Sequence, residues 1–532
     1  MKTINFLVAV VLIALFMATL PLAVAEDAGK MLNIALGKEP DDLNPIAGTG
    51  HGEFYDVIKV YSGLLKSDDK LQAAPDIAES WDISPDGRTY TFHLREGIKW
   101  HDGTAFTADD ILFTYELLRS GEWTSVFPAS SEYEAIKDIS ILDPHTVTFT
   151  LNDPIVAFIE RFSLPILPRH ILEGQDLLKT DFWQEPIGTG PYKFVSWNKG
   201  EDLTFQSNPD FYGEAPRIGT LKYVFVPDES ARINLLKSGE VDAIKIDLRS
   251  TESLKGANGV TVNSAPSANW YALNMPNRMW PFNMREVRQA ISYAIDKQQI
   301  LDTIFNGQGE ISYGPFRQED WIYNPDIVAA FDPERAKSLL ADAGFKDTDG
   351  DGILDKDGKS LEFELVYPSD NSERKDISIA IKTDLAKMGI NMELVGKSWD
   401  EISYDVFRDN VIIMAWGSPF DPDDQNYQNW NSKFIGRESW WNAASYSNPE
   451  VDGLLEEGRT TFDKEKRKEI YQKLQSILAE DQPVAFWIFS NYVYGLSDRI
   501  TGIKPRNAPH GQGNNGGITG EIWWNVEEWQ KE

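Results

Sequence analysis

The residues best placed to do chemistry lie between Met414 and Trp430, in the stretch MAWGSPFDPDDQNYQNW. An apolar run, VIIMAW, reads as a buried strand and breaks at Gly417, Ser418 and Pro419. Three acids follow, Asp421, Asp423 and Asp424, among the aromatics Trp416, Phe420, Tyr427 and Trp430. A connector would be served by Gly, Asn and Ser, so acids beside large flat side chains suggest a binding wall. An acidic surface loop whose aromatics fold back to the core is the other reading. Seventeen tryptophans exceed what packing asks for and suggest a surface that grips flat or apolar ligands.

Other chemistries leave little trace. The six histidines form no H-x-x-x-H or H-E-x-x-H pair. His51 is the exception worth keeping, because Gly48, Gly50 and Gly52 around it let backbone approach a ligand. No G-x-S-x-G elbow and no G-x-x-x-x-G-K-[ST] loop occurs, and nothing singles out one carboxylate pair from 83 acids. No catalytic apparatus or organic cofactor is expected. Asp347, Asp349, Asp351 and Asp355 occupy positions 1, 3, 5 and 9 of a calcium-type loop, with Gly352 at position 6. Position 12 is Gly358 instead of glutamate, so an Asp/Gly-rich turn between helix and strand competes with a structural calcium site.

The formal charge of -32 disfavours nucleic acid and anionic membranes and attracts cationic groups, although solubility alone would also account for it. Zero cysteines exclude disulfides, thiolate nucleophiles, cysteine-ligated metals and a lipid anchor at a cysteine. Residues 1–25 read as an export signal: Lys2, an apolar run from Phe6 to Leu22, then Ala23-Val24-Ala25 as the cleavage pattern. A retained anchor is the alternative there. The expected location is outside the cytoplasm, without a cysteine-linked lipid.

The elements that must position these residues alternate strand and helix. Met31 to Leu36 reads as a strand, and Tyr90–Leu94 and Val147–Leu151 as one-face-buried strands that pair antiparallel. Thr107 caps a helix between them. Met284 to Phe305 reads as one long helix with an Asn283/Glu286 capping box. Helices are also expected after Asp332-Pro333, over Ile377–Met388 and over Asp463–Ala479, with strands at Leu361–Val366 and Ile390–Val395. That β-α-β order implies an α/β fold.

Five stretches together resemble one family, the large extracytoplasmic solute-binding proteins of peptide, nickel and related ABC importers. They are PDIAESWDISPDGRTYTFHLREGIKWHDGTAFTADDILFTYELL (75–118), PIGTGPYKFVSW (186–197), VFVPDESARINLLKSGEVDAI (224–244), WYALNM with REVRQAISYAIDK (270–297) and YSNPEVDGLLEEGR (446–459). The resemblance implies a two-lobed periplasmic-binding-protein fold of the large peptide-binding type, with an extra subdomain inserted in lobe one. Lobe one takes 26–62, 189–273 and 491–532, the insert 63–188, and lobe two 274–490, with crossings near Asn274 and Phe489.

It further implies that Asp421 pairs with a peptide's α-ammonium, flanked by Trp416 and Phe420; Asp423 and Asp424 themselves read as solvated neighbours. Trp487 would lie over the ligand, and His51, Phe127 and Trp270 would line the opposite wall. Nickel-type members share the Trp416-Gly417-Ser418-Pro419-Phe420-Asp421-Pro422 pattern. Their histidine has no counterpart, since Phe434 stands in its place. Sugar-binding members stack their ligands on tryptophans. The expectation is a monomeric, exported receptor that hands peptide to an ABC permease in the membrane, with a metal-chelate or oligosaccharide ligand as alternatives. A hydrolase of similar shape is the competing class.

Overall fold

The computed structural model describes residues 31–46, 59–121, 128–328, 330–418, 420–436, 440–508 and 521–532. His51, Phe127 and the signal stretch 1–25 lie outside the described residues. Strand β1 (Met31–Leu36) opens the first lobe. The chain then builds a separate sheet from β2 (Ala78–Ile83) and β3 (Thr89–Leu94), helix α1 (Ala108–Arg119), and β4 (Ile136–Asp143) and β5 (Thr146–Leu151). The strand order is β2-β3-β5-β4, and Tyr90 and Phe92 sit opposite Phe149 and Val147. Alternate residues of these strands, together with α1, close an apolar cluster that runs mainly from Leu64 to Trp183. The return to lobe one is tight. A β-carbon on Gly188 would lie 1.9 Å from the Val60 carbonyl oxygen of the outgoing segment, so only glycine fits there.

Lobe one resumes with β6 (Tyr192–Asn198), β7 (Asp202–Ser207), β8 (Thr220–Phe225), helix α2 (Glu229–Ser238), β9 (Ala243–Ile246) and the long β10 (Val260–Asn274). Helix α2 starts on the Asp228 carboxylate, which accepts from Ala231 N, and stops at Gly239 in the left-handed region. The second lobe holds α3 (Arg285–Ala294), α4 (Lys297–Thr303), α5 (Pro333–Asp342), β11 (Glu362–Pro368), α6 (Ser372–Ala386), β12 (Asn391–Lys397), β13 (Val411–Trp416), α7 (Asn426–Trp430), α8 (Pro449–Thr460) and α9 (Lys464–Asp481). Strand β14 (Val484–Ser497) returns to lobe one.

The expected helix from Met284 to Phe305 is two helices. Ile295 takes an extended backbone, and Asp296 caps α4 by accepting from Gln299 N at 2.9 Å. Asn283 does not cap α3; its own N–H donates to Met279 O. Helix α6 begins at Ser372, before Ile377, because Asn371 accepts from Arg374 N.

Among the described residues eleven strands form one sheet, in the order β12-β11-β13-β10-β14-β9-β1-β8-β7-β6, with Gly309–Ile311 alongside β14. Strands β1, β8 and β9 run parallel in one lobe, and β11, β12 and β13 in the other. The antiparallel pair β10 and β14 runs through both lobes and joins them. Their register slips between Pro266 and Trp270, where proline has no N–H for the ladder and Ala268 N turns instead to Ala508 O at 2.7 Å. Phe489 pairs with Trp270 at this slip, while Asn274 lies further on, at the lobe-two end of β10. No helix among the described residues is long and apolar enough to cross a membrane.

Candidate ligand-binding site

Parallel strands end together, and in open α/β sheets the crevice outside their carboxyl ends is where ligands bind. Here β1, β8 and β9 aim their carboxyl ends at the same gap as β11 and β13. The residues after β9 and the start of α6 meet there around a cavity of about 290 Å³. Lys245 to Arg249 line it from lobe one, Asp370 to Glu373 from lobe two, and Asn269, Tyr271 and Ser490 to Val493 from the crossing strands. Arg249 spans the gap to Asp376 at 2.6 Å. The Tyr271 hydroxyl donates to Glu373 Oε1 at 2.8 Å. Burial raises the pKa of Glu373, and burial beside Glu229 raises that of Asp247. Arg374 donates from Nη1 to Ile413 O and lies 5.1 Å from the Trp399 ring centre. A larger cavity of about 880 Å³ lies elsewhere, between lobe one and the insert, lined by Tyr61, Asp76, Tyr212 and Trp524 among others.

The turn after β13 lies beside the crossing strands, with Gly417 against Ala268. Gly417 has φ +137°, and its N–H donates to Gln425 Oε1. Both oxygens of Asp421 are held by Arg467 of α9, at 2.5 Å from Nη1 and 2.5 Å from Nη2. Asp421 also accepts from Asp423 N. Any ammonium arriving there shares its carboxylate with a guanidinium. Asp423 and Asp424 are not solvated: each is 3% exposed. Asp423 faces Arg459 at 3.6 Å, and burial pushes its pKa up to about 7. Asp424 accepts from Arg161 Nη2 at 2.9 Å, and Arg161 Nε meets Glu132 at 2.5 Å. Arg161 and Glu132 come from the insert.

The aromatic expectations divide. Trp416 packs against Trp441 at 4.8 Å, and Phe420 is half-buried. Trp270 stacks on Trp430 at 6.1 Å and meets Phe486 edge-on at 5.0 Å, beneath the turn. Trp487 faces the opposite side of the sheet, stacked against Tyr271. Trp270, Trp430 and Trp487 are no more than 1% exposed, so core packing explains all three in this conformation.

The model for "bacterial extracellular solute-binding proteins, family 5" (Middle) matches residues 72–437. The chain belongs to that family. Protein XP55 of Streptomyces lividans is 33% identical over 90% of this chain and 86% of its own. The oligopeptide-binding protein AppA of Bacillus subtilis (strain 168) is 29% identical over 88% of this chain and 87% of its own. The structure of AppA from Bacillus subtilis in complex with a nonapeptide superimposes with a TM-score of 0.78 at 27% identity, covering 94% of this chain and 99% of that one. NikZ from Campylobacter jejuni, solved with Ni(L-His), gives a TM-score of 0.82 at 32% identity, over 94% and 100%.

This family 5 solute-binding protein carries partners of the acidic turn that sequence spacing does not flag. Arg467 and Arg459 are hidden in the charged helix surfaces KEKRKE and EEGR, far from the acids they serve. Arg161 follows Glu160 in an otherwise apolar turn, which was the one available signal. Trp399 is 44% exposed beside Arg374, unlike the buried Trp270, Trp430 and Trp487. In the acidic loop, oxygens of Asp347, Asp349 and Asp351 lie within 4.8 Å of one another, a donor set that suits hard cations. Asp355 is not gathered with them; its carboxylate accepts from Thr348 N and Oγ1.

Proposed function

We propose that this protein captures peptides between its two lobes and delivers them to an ABC importer's membrane subunits. The observation that carries the reading is the crevice at the carboxyl ends of both parallel strand sets. It has mixed-charge walls, and ion pairs cross it. The peptide-bound AppA relative supports it. An extended peptide offers main-chain donors and acceptors for Asn269, Ser490 and Asn491, and Asp421 offers charge for its amino terminus. Ligand contacts to both lobes would then favour the closed state. The protein binds without transforming its ligand, acts as a monomer, and works outside the cytoplasm after cleavage behind Ala25.

A metal–amino-acid chelate is the second reading, favoured by the Trp416-to-Pro422 pattern and the likeness to NikZ. No histidine occurs between His170 and His510, so the ligand itself would supply the imidazole. Calorimetry with trialanine, N-acetyl-trialanine and Ni(L-His), alongside mass spectrometry of co-purifying ligand, separates these. Trialanine should bind and its acetylated form should bind more weakly. Binding of Ni(L-His) alone would replace the peptide reading, and turnover of chromogenic peptides or glycosides would overturn a binding role.

A further inference from the structure

Besides the crossing strands and lobe-one contacts such as Arg249–Asp376, the inserted subdomain also grips the second lobe. Phe462, between α8 and α9, reaches over the β2–β3 turn so closely that a β-carbon on Gly87 would meet its ring at 2.3 Å. Gln428 of α7 donates to Glu132 of the insert at 3.0 Å. Beside Glu132 lies Arg161, whose side chain is 6% exposed. It meets Glu132 on its own side and Asp424 across the gap.

The three acids of the turn each have an arginine. Arg467 and Arg459 belong to the same lobe as Asp421 and Asp423, so those pairs stay together whatever the lobes do. Asp424 is paired from the other body. We infer that Arg161 and Asp424 form a closure clasp, which engages when the lobes meet and retains the ligand by sealing the end of the crevice that carries Asp421.

The charges explain why one arginine decides the matter. Glu132 and Glu160 of the insert face Asp421 and Asp424, close enough that the negative neighbours, after burial itself, raise Glu160 well above the usual carboxylate range. With Arg161 in place, two of these carboxylates share one guanidinium. Without it, only Arg459 and Arg467, already paired within lobe two, offset the repulsion between the acids across the closing surface. Its Nη1 is buried without a partner among the described residues. Removing one member of a buried pair strands the other, whereas removing both is far less harmful. The interaction should therefore be strongly non-additive.

The clasp rests on the peptide reading for one of its two readouts. Trialanine release is followed by tryptophan fluorescence, and lobe closure by small-angle X-ray scattering with and without trialanine. Arg161→Met should speed release by about 10- to 100-fold and leave the protein more extended. The double variant Arg161→Met/Asp424→Asn should fall well short of the product of the single effects. Arg161→Lys, which keeps the charge but reaches one carboxylate at a time, should lie between and guards against a misfolded methionine variant. Wild-type binding and compaction, with Arg161→Met and Arg161→Lys unchanged or with strictly multiplicative effects, overturns the clasp and leaves the peptide reading standing. No trialanine binding by wild type removes the peptide reading, and scattering of the ligand-free proteins then decides: a more extended Arg161→Met supports the clasp, an unchanged one overturns it.

Discussion

Gly417 presses against the carbonyl of Ala268, leaving no room for a side chain: a β-carbon at 417 would stand 1.8 Å from that oxygen. The contact joins the end of β13 to the point where β10 loses its register, so the acidic turn and the lobe crossing are seated on each other. Gly417→Ala meets both this clash and an unfavourable φ of +137°. A loss of about 2–4 kcal/mol is expected in urea unfolding. An unchanged midpoint would show that the two segments can part without cost.

Asp421→Asn is the obvious test of an ammonium anchor, but it also leaves Arg467 buried without its charge partner. That stranding alone should cost about 3 kcal/mol. Asp421→Asn/Arg467→Met separates the effects. The double variant should regain most of the lost stability in thermal unfolding while still failing to prefer trialanine over its acetylated form. Recovery of that preference would mean Asp421 holds the turn and touches no ligand.

Trp399 is half-exposed beside Arg374 at the carboxyl end of β12, and it stands clear of the core clusters. Trp399→Ala should weaken trialanine binding about tenfold with little change in Tm. A fall in Tm with unchanged affinity would make it a packing residue.

His101 carries a pH prediction. Its Nδ1 accepts from Gly188 N at 3.3 Å and its Nε2 faces Gly190 O at 3.0 Å, so the neutral ring is fully used. Burial pushes its pKa down to about 4 from an ordinary 6.5. The unfolded chain takes up the proton first, so this stabilisation is complete above pH 6.5 and is lost as pH falls toward 4. Its span is up to about 3 kcal/mol. Stability measured between pH 7 and pH 4 should fall less steeply for His101→Gln than for wild type; parallel curves would exclude the imidazole as the cause.

Local signals carried far. The strand at 31–36, the Thr107 and Asp332 caps and the β-α-β order around α6 are all written in short-range patterns. The Met284–Phe305 stripe misled because apolar spacing survives the break at Ile295, and Asp296 can be read as a surface helix residue as easily as a cap. The turn at Met414–Trp430 stood out through its residue types. Its partners did not, because an arginine 46 residues along the chain, or 263, leaves no periodic trace. The surplus of tryptophan pointed to ligand stacking, yet Trp270, Trp430 and Trp487 pack inside. Composition records how many rings there are, not which way they face.

Because β10 and β14 stay hydrogen-bonded to each other on both sides of the slip at 266–270, the two halves of the molecule are linked by a flexure, not a tether. Its stiffness lies in a ladder that can bend but has no slack to unspool. Such a ladder restrains the halves more than a loose linker would, and favours a repeated alignment when the jaws meet. That repeatability is what lets a single guanidinium find a single carboxylate across the gap.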